Sequence, residues 1–389
     1  MFRKSSIKTV LISSLAIALA FPMSSNSANA VGEINIGVIT STSGGLKSYG
    51  DAYIDGLEWG LKYFTNGKNS INGRKIVITK RDDGADPVSA TASFKEMVSK
   101  GTNIIVGTAS SPVGITLAPL AAQNKVLYIS GLAKNDYITT PANKYVFRSG
   151  ITSQQDIAPL TKLKPIRGKK FILFVEDNTF GLGSLIAAKA FLIPKGANIE
   201  EIKVPTATVD FTPFAKKAAD MKGDYIFVAW SNPPSASALF TALDQQKVYA
   251  SARPITALPG VDLYETYGTL FDGVSAIFTS SYFPGVVKNK MATQIAADYA
   301  KAGKTQDLFT ATGVNAAQMI IAAVKGNASL DVDKMITTLE AFSFVGLTGL
   351  NKVNKLNHTL IQSMFLVKLT KVNGRYVPSL VSTFYNVIV

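Results

Sequence analysis

The chain has 389 residues, 47% hydrophobic and 17% charged, which excludes a disordered polymer and leaves room for two domains with cores of their own. It has no cysteine, which excludes disulfides, thiolate metal sites, cysteine nucleophiles and a lipid-anchored cysteine, and its single histidine argues against a histidine-built metal site. Forty Lys and Arg against 26 Asp and Glu give a formal charge of +14, but the lysines are scattered, which reads as a solvated face and not as a nucleic-acid surface.

Arg3, Lys4 and Lys8 precede an apolar run from Thr9 to Phe21, and a polar stretch then ends at Ala28-Asn29-Ala30. A charged start, a short apolar centre and a small-x-small end predict a signal peptide over residues 1–30, cleaved after Ala30. The run is shorter than the roughly 20 residues that span a bilayer. No later segment is read as long and charge-free enough to span one. The expected mature chain is therefore exported, to the periplasm or beyond, and carries +11 once those three cations are gone.

From there strands and helices alternate. Ile34–Ile39 is an apolar strand, and Ile54, Leu57, Leu61 and Phe64 share one face of the helix that follows. Asn72-Gly73 marks a turn before a strand at Ile76–Thr79, and Pro87 opens a helix reaching about Ser99. A strand at Asn103–Val106, a helix at Pro112–Gln123 and a strand at Val126–Ile129 come next. The pattern closes near Tyr145–Gly150 and restarts with a buried strand at Phe171–Val175 and helices at Leu182–Ile193 and Phe211–Met221. Strands are expected at Tyr225–Val228, Pro254–Ala257 and Val274–Phe278, with a helix at Ser235–Gln246. Helices follow at Lys288–Ala302, Thr312–Val324 and Val332–Ala341, and Ile361–Leu369 and Arg375–Val381 flank Val372-Asn373-Gly374 as a hairpin. Apolar strands alternating with helices predict an α/β protein of two lobes with parallel-sheet cores.

Open α/β sheets bind ligands at the carboxyl ends of their strands, so the loops there hold the candidates. Gly107-Thr108-Ala109-Ser110-Ser111-Pro112 joins a strand to a helix, with Pro suited to the first turn and Ser to the cap. Free N–H groups at that helix start would seat a carboxylate or phosphate; a plain helix cap accounts for the residues equally well. After the first strand, Gly44-Gly45 allows a tight turn and Tyr49 can wall a cleft or cap its own helix. Neither a Walker loop nor GxGxxG is present. Trp230, at a strand's carboxyl end, is either an exposed edge or an aromatic platform for a ligand, the platform being favoured because an exposed Trp is costly; Asp262 is either an ammonium acceptor or a surface acid; Phe309 either closes the cleft or belongs to the core. His358 lies in the polar stretch Asn354–Thr359 away from any G-x-S-x-G elbow and reads as structural, and Asp82-Asp83 as turn-capping acids. No cofactor or metal is expected.

INIGVITSTSGGLKSYGD, RDDGADP, NIIVGTASSPVGITLAPLAAQNKVLYIS, FVEDNTFGLG, VDFTPFAKKA and DYIFVAW resemble, in order and spacing, segments of type I periplasmic solute-binding proteins of ABC transporters, in the Leu/Ile/Val-binding group. The resemblance covers nearly all of the chain after Ala30. It implies two Rossmann-like lobes joined by a three-crossover hinge, lobe 1 being residues 31–150 and 280–362 and lobe 2 residues 151–279 and 363–389. It implies a ligand carboxylate held by Ser111 and by the loop Ser130-Gly131-Leu132-Ala133-Lys134, with Tyr49, Phe180 and Phe309 lining the pocket; Thr108 and Ser110, small hydroxyl residues of the same strand-end loop, join Ser111 as candidates on residue type alone. The sequence departs from the group where Lys134 replaces a hydroxyl and where the ammonium-binding glutamate falls near Pro259, leaving Asp262 the nearest acid. Lys134 would favour a more anionic or aromatic acid.

The expected protein is therefore a non-enzymatic, monomeric binding protein that hands a small acid to ABC permease subunits in the membrane. The family's default ligands are branched-chain or other apolar amino acids; an aromatic acid, a short amide or a dicarboxylate are the other candidates. A ligand-sensing module of the same fold and a secreted α/β hydrolase are the rival readings.

Overall fold

A parallel strand covered by helices on both faces needs apolar residues at every position, and the sheet centres here have them. In the computed structural model, which describes Met1, residues 32–140 and residues 142–388, the strands IIVG and YIFVA are buried at each residue. The predicted signal peptide and its cleavage site lie outside the described residues.

The first series runs β1 (Ile34–Thr40), α1 (Lys47–Phe64), β2 (Ser70–Ile71), β3 (Arg74–Asp82), α2 (Pro87–Ser99), β4 (Ile104–Gly107), α3 (Ser111–Asn124), β5 (Leu127–Ser130) and β6 (Val146–Arg148). The second comprises α4 (Ser153–Ile157), β7 (Lys170–Glu176), α5 (Thr179–Leu192), β8 (Asn198–Val204), α6 (Thr212–Met221), β9 (Tyr225–Ala229), α7 (Pro233–Gln245), β10 (Arg253–Ala257), α8 (Tyr264–Leu270) and β11 (Ile277–Ser280). It is followed by α9 (Lys290–Lys301), α10 (Leu308–Lys325), α11 (Val332–Glu340), β12 (Ser343–Gly346), β13 (Gly349–Val353), β14 (Leu360–Val372) and β15 (Arg375–Val387).

The first sheet has the order β2-β3-β1-β4-β5-β6, parallel except for the β2–β3 hairpin turned at Asn72-Gly73. In the second, β8-β7-β9-β10-β11 are parallel, and β14 and then β15 add antiparallel strands at one side. Setting β2 aside, both parallel sheets repeat one order, second-first-third-fourth-fifth, although their sequences show no repeat. Strand order reverses between β1 and β4 in one sheet and between β7 and β9 in the other. Those two points are where doubly wound sheets open a crevice.

Helices α1 and α10 pack backbone to backbone. A Cβ on Gly56 would lie 2.1 Å from the Thr310 carbonyl oxygen, and one on Gly313 would lie 2.1 Å from that of Tyr53. Only glycine permits so close an approach. It sets the start of α10 beside the start of α1. By length and composition α10 could cross a membrane, which corrects the expectation that no later segment could. It is 78% buried and packs on α1, so its apolar character belongs to the core.

Several other elements differ from the sequence reading. Helix α5 begins at Thr179 because Asn178 caps it, its side chain accepting the Gly181 N–H at 3.0 Å. Strand β11 lies three residues later at its start than expected. Strands β2, β6, β8, β12 and β13 and helices α4 and α8 are not among the elements the sequence predicts.

Candidate functional site

A cavity of about 380 Å³ opens at the strand ends of both sheets. Loops after β1, β4 and β5 form one wall, and loops after β7, β9 and β10 the other. Both strand-order reversals therefore face the same space.

On the first wall α3 begins bare. Ser110 caps it without a side-chain hydrogen bond, and Pro112 has no N–H to give. The Ser111 and Val113 N–H groups are left open at the positive end of the helix dipole. The buried Ser111 hydroxyl oxygen accepts the Asn135 N–H at 3.3 Å, so its own proton is available to donate. Together these groups form a seat for an anion. Tyr49 on α1 and Phe309 on α10 stand beside it, their rings 4.0 Å apart, and burial pushes the Tyr49 hydroxyl up from its ordinary pKa.

Asp83 holds this wall in place. It is fully buried and accepts from Ser41 Oγ at 2.6 Å, from the Ala85 N–H at 2.8 Å and from Thr108 Oγ1. One carboxylate thus joins the loops after β1, β3 and β4. Thr108 is spent on this bond and does not line the cavity, contrary to its expected place among the ligand contacts.

The loop after β5 carries Leu132 and Lys134 into the wall. It wraps the guanidinium of Arg148, which is fully buried and donates to Thr139 Oγ1 at 3.0 Å, to the Ala133 carbonyl at 2.6 Å and to the Asn135 carbonyl. Burial brings the Arg148 pKa down to about 10. The Lys134 ammonium pairs with Asp156 at 2.6 Å, and Thr279 Oγ1 donates to the other Asp156 oxygen. Lys134 is therefore not a free cation, which removes the expectation that its charge selects the ligand.

On the second wall Trp230 is half-buried, braced edge-on against Phe211 with ring centres 5.2 Å apart, and donates from Nε1 to Ser235 Oγ at 2.9 Å. Phe180, in the first turn of α5, lies on the same wall. Between them stands Glu176, 1% exposed at the end of β7. Its Oε2 accepts both the N–H and the hydroxyl of Ser231. The expected acid, Asp262, is exposed and off the cavity wall. The buried acid in that region is Asp307, which caps α10 by accepting the Phe309 and Thr310 N–H groups at 3.0 Å each; burial pushes its carboxyl up.

The structure thus brings Tyr49, Ser110, Ser111, Leu132 and Lys134 together with Phe180, Trp230 and Phe309, and leaves Thr108 and Asp262 out. Sequence reasoning passed over Glu176. Its one signal was an acid closing an otherwise apolar buried strand, KFILFVE. His358 is stacked on Phe147 at 4.0 Å with Nδ1 3.1 Å from the Val146 carbonyl oxygen, a structural setting outside the cavity. Among the described residues no three His, Cys, Asp or Glu side chains gather as a metal site.

Residues 33–374 match the periplasmic binding protein family. The chain belongs to that family. Its members here are solute-binding proteins of ABC transporters and not enzymes. The chain is 27% identical over 214 residues to a Leu/Ile/Val-binding protein homolog of Brucella melitensis, spanning 54% of this chain and 56% of that one. To the Leu/Ile/Val-binding protein of Escherichia coli it is 26% identical over 220 residues, spanning 56% of this chain and 59% of that one. The alignment thus spans just over half the length of these curated relatives. An ABC-type branched-chain amino acid transporter structure from Rhodopseudomonas palustris superposes with a TM-score of 0.76 at 27% identity, covering 91% of this chain and 97% of that one. An R. palustris solute-binding protein in complex with 4-hydroxybenzoate gives a TM-score of 0.82 at 21% identity over 91% and 97% of the two chains, a likeness of fold. The two parallel-sheet cores seen here agree with the two-lobed fold of those neighbours.

Proposed function

We propose that this periplasmic binding protein captures a small carboxylate-bearing molecule between its lobes and delivers it to the membrane subunits of an ABC importer. The observation that carries this reading is the bare start of α3, with the Ser111 hydroxyl beside it, facing a cavity whose opposite wall belongs to the second sheet. The ligand's negative end sits on Ser111 and the α3 N–H groups. Its apolar part rests among Tyr49, Phe309, Trp230 and Phe180. Lobe 1 takes residues 31–150 and 280–362 and lobe 2 residues 151–279 and 363–389. The lobes close on the ligand, and the permease reads the closed form. Export through a cleaved leader places a monomer in the periplasm or outside the cell.

An apolar amino acid suits the cavity, as the names of the Leu/Ile/Val-binding relatives suggest, and an aromatic acid suits it equally, as the 4-hydroxybenzoate-bound neighbour does for the fold. A thermal-shift screen over amino acids and small aromatic acids identifies the class, since a ligand bound only to the native state raises its stability by RT ln(1 + [L]/Kd). Calorimetry on the best hit then tests the seat. Ser111→Ala removes a charge-assisted hydrogen bond and is expected to weaken binding about tenfold or more. Unchanged affinity would exclude the seat.

A further inference from the structure

The anion seat is tied to the opposite wall by a side chain that does not itself line the cavity. Asn135 follows β5 and is 2% exposed. Its N–H donates to Ser111 Oγ at 3.3 Å, its carbonyl accepts from the Arg148 guanidinium, and its Oδ1 accepts the Tyr137 N–H at 2.9 Å. The remaining group, Nδ2, crosses to the second series and donates at 2.6 Å to the Thr179 carbonyl, where α5 begins. Phe180, the next residue, lines the cavity. Glycine weakens a helix interior, yet α5 carries Gly183 where a Cβ would lie 2.8 Å from that Nδ2 and 3.2 Å from Ser153 Oγ. The small residue admits the amide. Other bonds of the same loop, from the Ser153 N–H to the Lys134 carbonyl at 2.7 Å and between Lys134 and Asp156 at 2.6 Å, reach α4, just past the connection between the two series. The Asn135 bond instead joins the ends of strands in different sheets, 44 residues apart.

We infer that Asn135 is a positioning residue for ligand binding: its amide fastens the anion seat to α5 as the lobes close, and so holds the closed form without touching the ligand. This rests on the closure proposed above and assigns a residue to it. A contact confined to the closed form slows release and leaves capture by the open form as it was. It also acts equally on every acid the cleft accepts.

A chain without cysteine allows a direct test. A Cβ on Gly183 would lie 3.3 Å from Asn135 Cγ, near enough for a disulfide to replace the contact. Asn135→Cys combined with Gly183→Cys is expected to cross-link under oxidised glutathione. The cross-linked, ligand-free protein is then expected to show a smaller radius of gyration in small-angle scattering than the same protein after reduction. No cross-link, or equal radii, overturns the inference. Stopped-flow kinetics with leucine and with 4-hydroxybenzoate give the second readout. Asn135→Ala is expected to raise the release rate of whichever acid binds about fivefold and to leave its association rate unchanged. Gly183→Ala, which crowds the amide from the other side, is expected to do the same, and the double variant to add nothing to Asn135→Ala alone. A loss carried by the association rate, or additive effects of the two variants, overturns the inference as well. If neither acid binds, the scattering result decides alone. Unchanged affinity in S111A removes the anion seat and leaves the cross-link result standing, so the two readings fail separately.

Discussion

Lys134 and Asp156 show how a residue's type can mislead until its partner is known. Read alone, a lysine beside a ligand loop is a cation waiting for an anion. In the fold its side chain is 13% exposed and that of Asp156 is 6% exposed, and each satisfies the other. Removing one member of so buried a pair leaves an uncompensated charge, which costs about 3–5 kcal/mol. Lys134→Met is therefore expected to lower the denaturant midpoint of the unliganded protein clearly, and Lys134→Met with Asp156→Leu to recover most of the loss. Midpoints that match wild type in the single variant would show that the pair does not stabilise the loop. His358 makes a second residue-scale prediction. Burial lowers its pKa against the opposing pull of Glu340, 3.4 Å from Nε2, so the folded protein favours the neutral ring. The unfolded chain then binds the proton more readily, and stability from this site is present above the ordinary value of about 6.5 and lost as pH falls through the lower folded value. Melting temperatures of wild type and His358→Asn, which suits the backbone φ of 55° there, should diverge in their slope between neutral and mildly acidic pH. Parallel slopes would contradict it.

At the scale of elements, the position of Phe309 beside Tyr49 follows from glycines well away from either ring. Gly56 and Gly313 let α1 and α10 touch along their backbones, and the two helix starts arrive at the cavity together. Gly313→Ala forces a Cβ against the Tyr53 carbonyl, an overpacking that costs about 1–3 kcal/mol. The expected result is a lower melting temperature together with weaker ligand binding; normal affinity would show that α10 does not position the aromatic wall. Much of this level was legible in the sequence. Buried parallel strands such as FILFV and YIFVA are unbroken apolar runs, and helices such as Pro87–Ser99 announce themselves by caps and spacing. What escaped was short or mixed. Strand β8, NIEEIKV, lies at a sheet edge where one side meets water, and its charges mask the strand pattern. Strands β12 and β13 have four and five residues and alternate buried with exposed. The helix start at Ser111 was legible from Ser110 and Pro112; Asp83, Arg148 and Glu176 were not, because their roles depend on partners 25, 13 and 55 residues away.

At the scale of the whole molecule, two sheets with the same strand order face their reversal points toward one cavity, and the chain's function follows from that symmetry of layout. One lobe offers N–H and hydroxyl donors, the other an aromatic platform. Of the two tryptophans, Trp230 lines the cavity, while Trp59 sits on α1 donating to Asp298 at 3.0 Å. Ligand binding should therefore change the intrinsic fluorescence of wild type and of Trp59→Phe but leave Trp230→Phe nearly silent; a full response from Trp230→Phe would mean that the ligand binds away from the platform. The claim beneath all of this is that the acid is gripped by its anionic end where α3 begins. A crystal structure with the tightest-binding acid from the screen tests it most directly. The expected result is a carboxylate about 3 Å from Ser111 Oγ and from the N–H groups of the first α3 turn. A ligand lying outside the cavity, or turning its carboxylate toward the β7 and β9 loops, would contradict it.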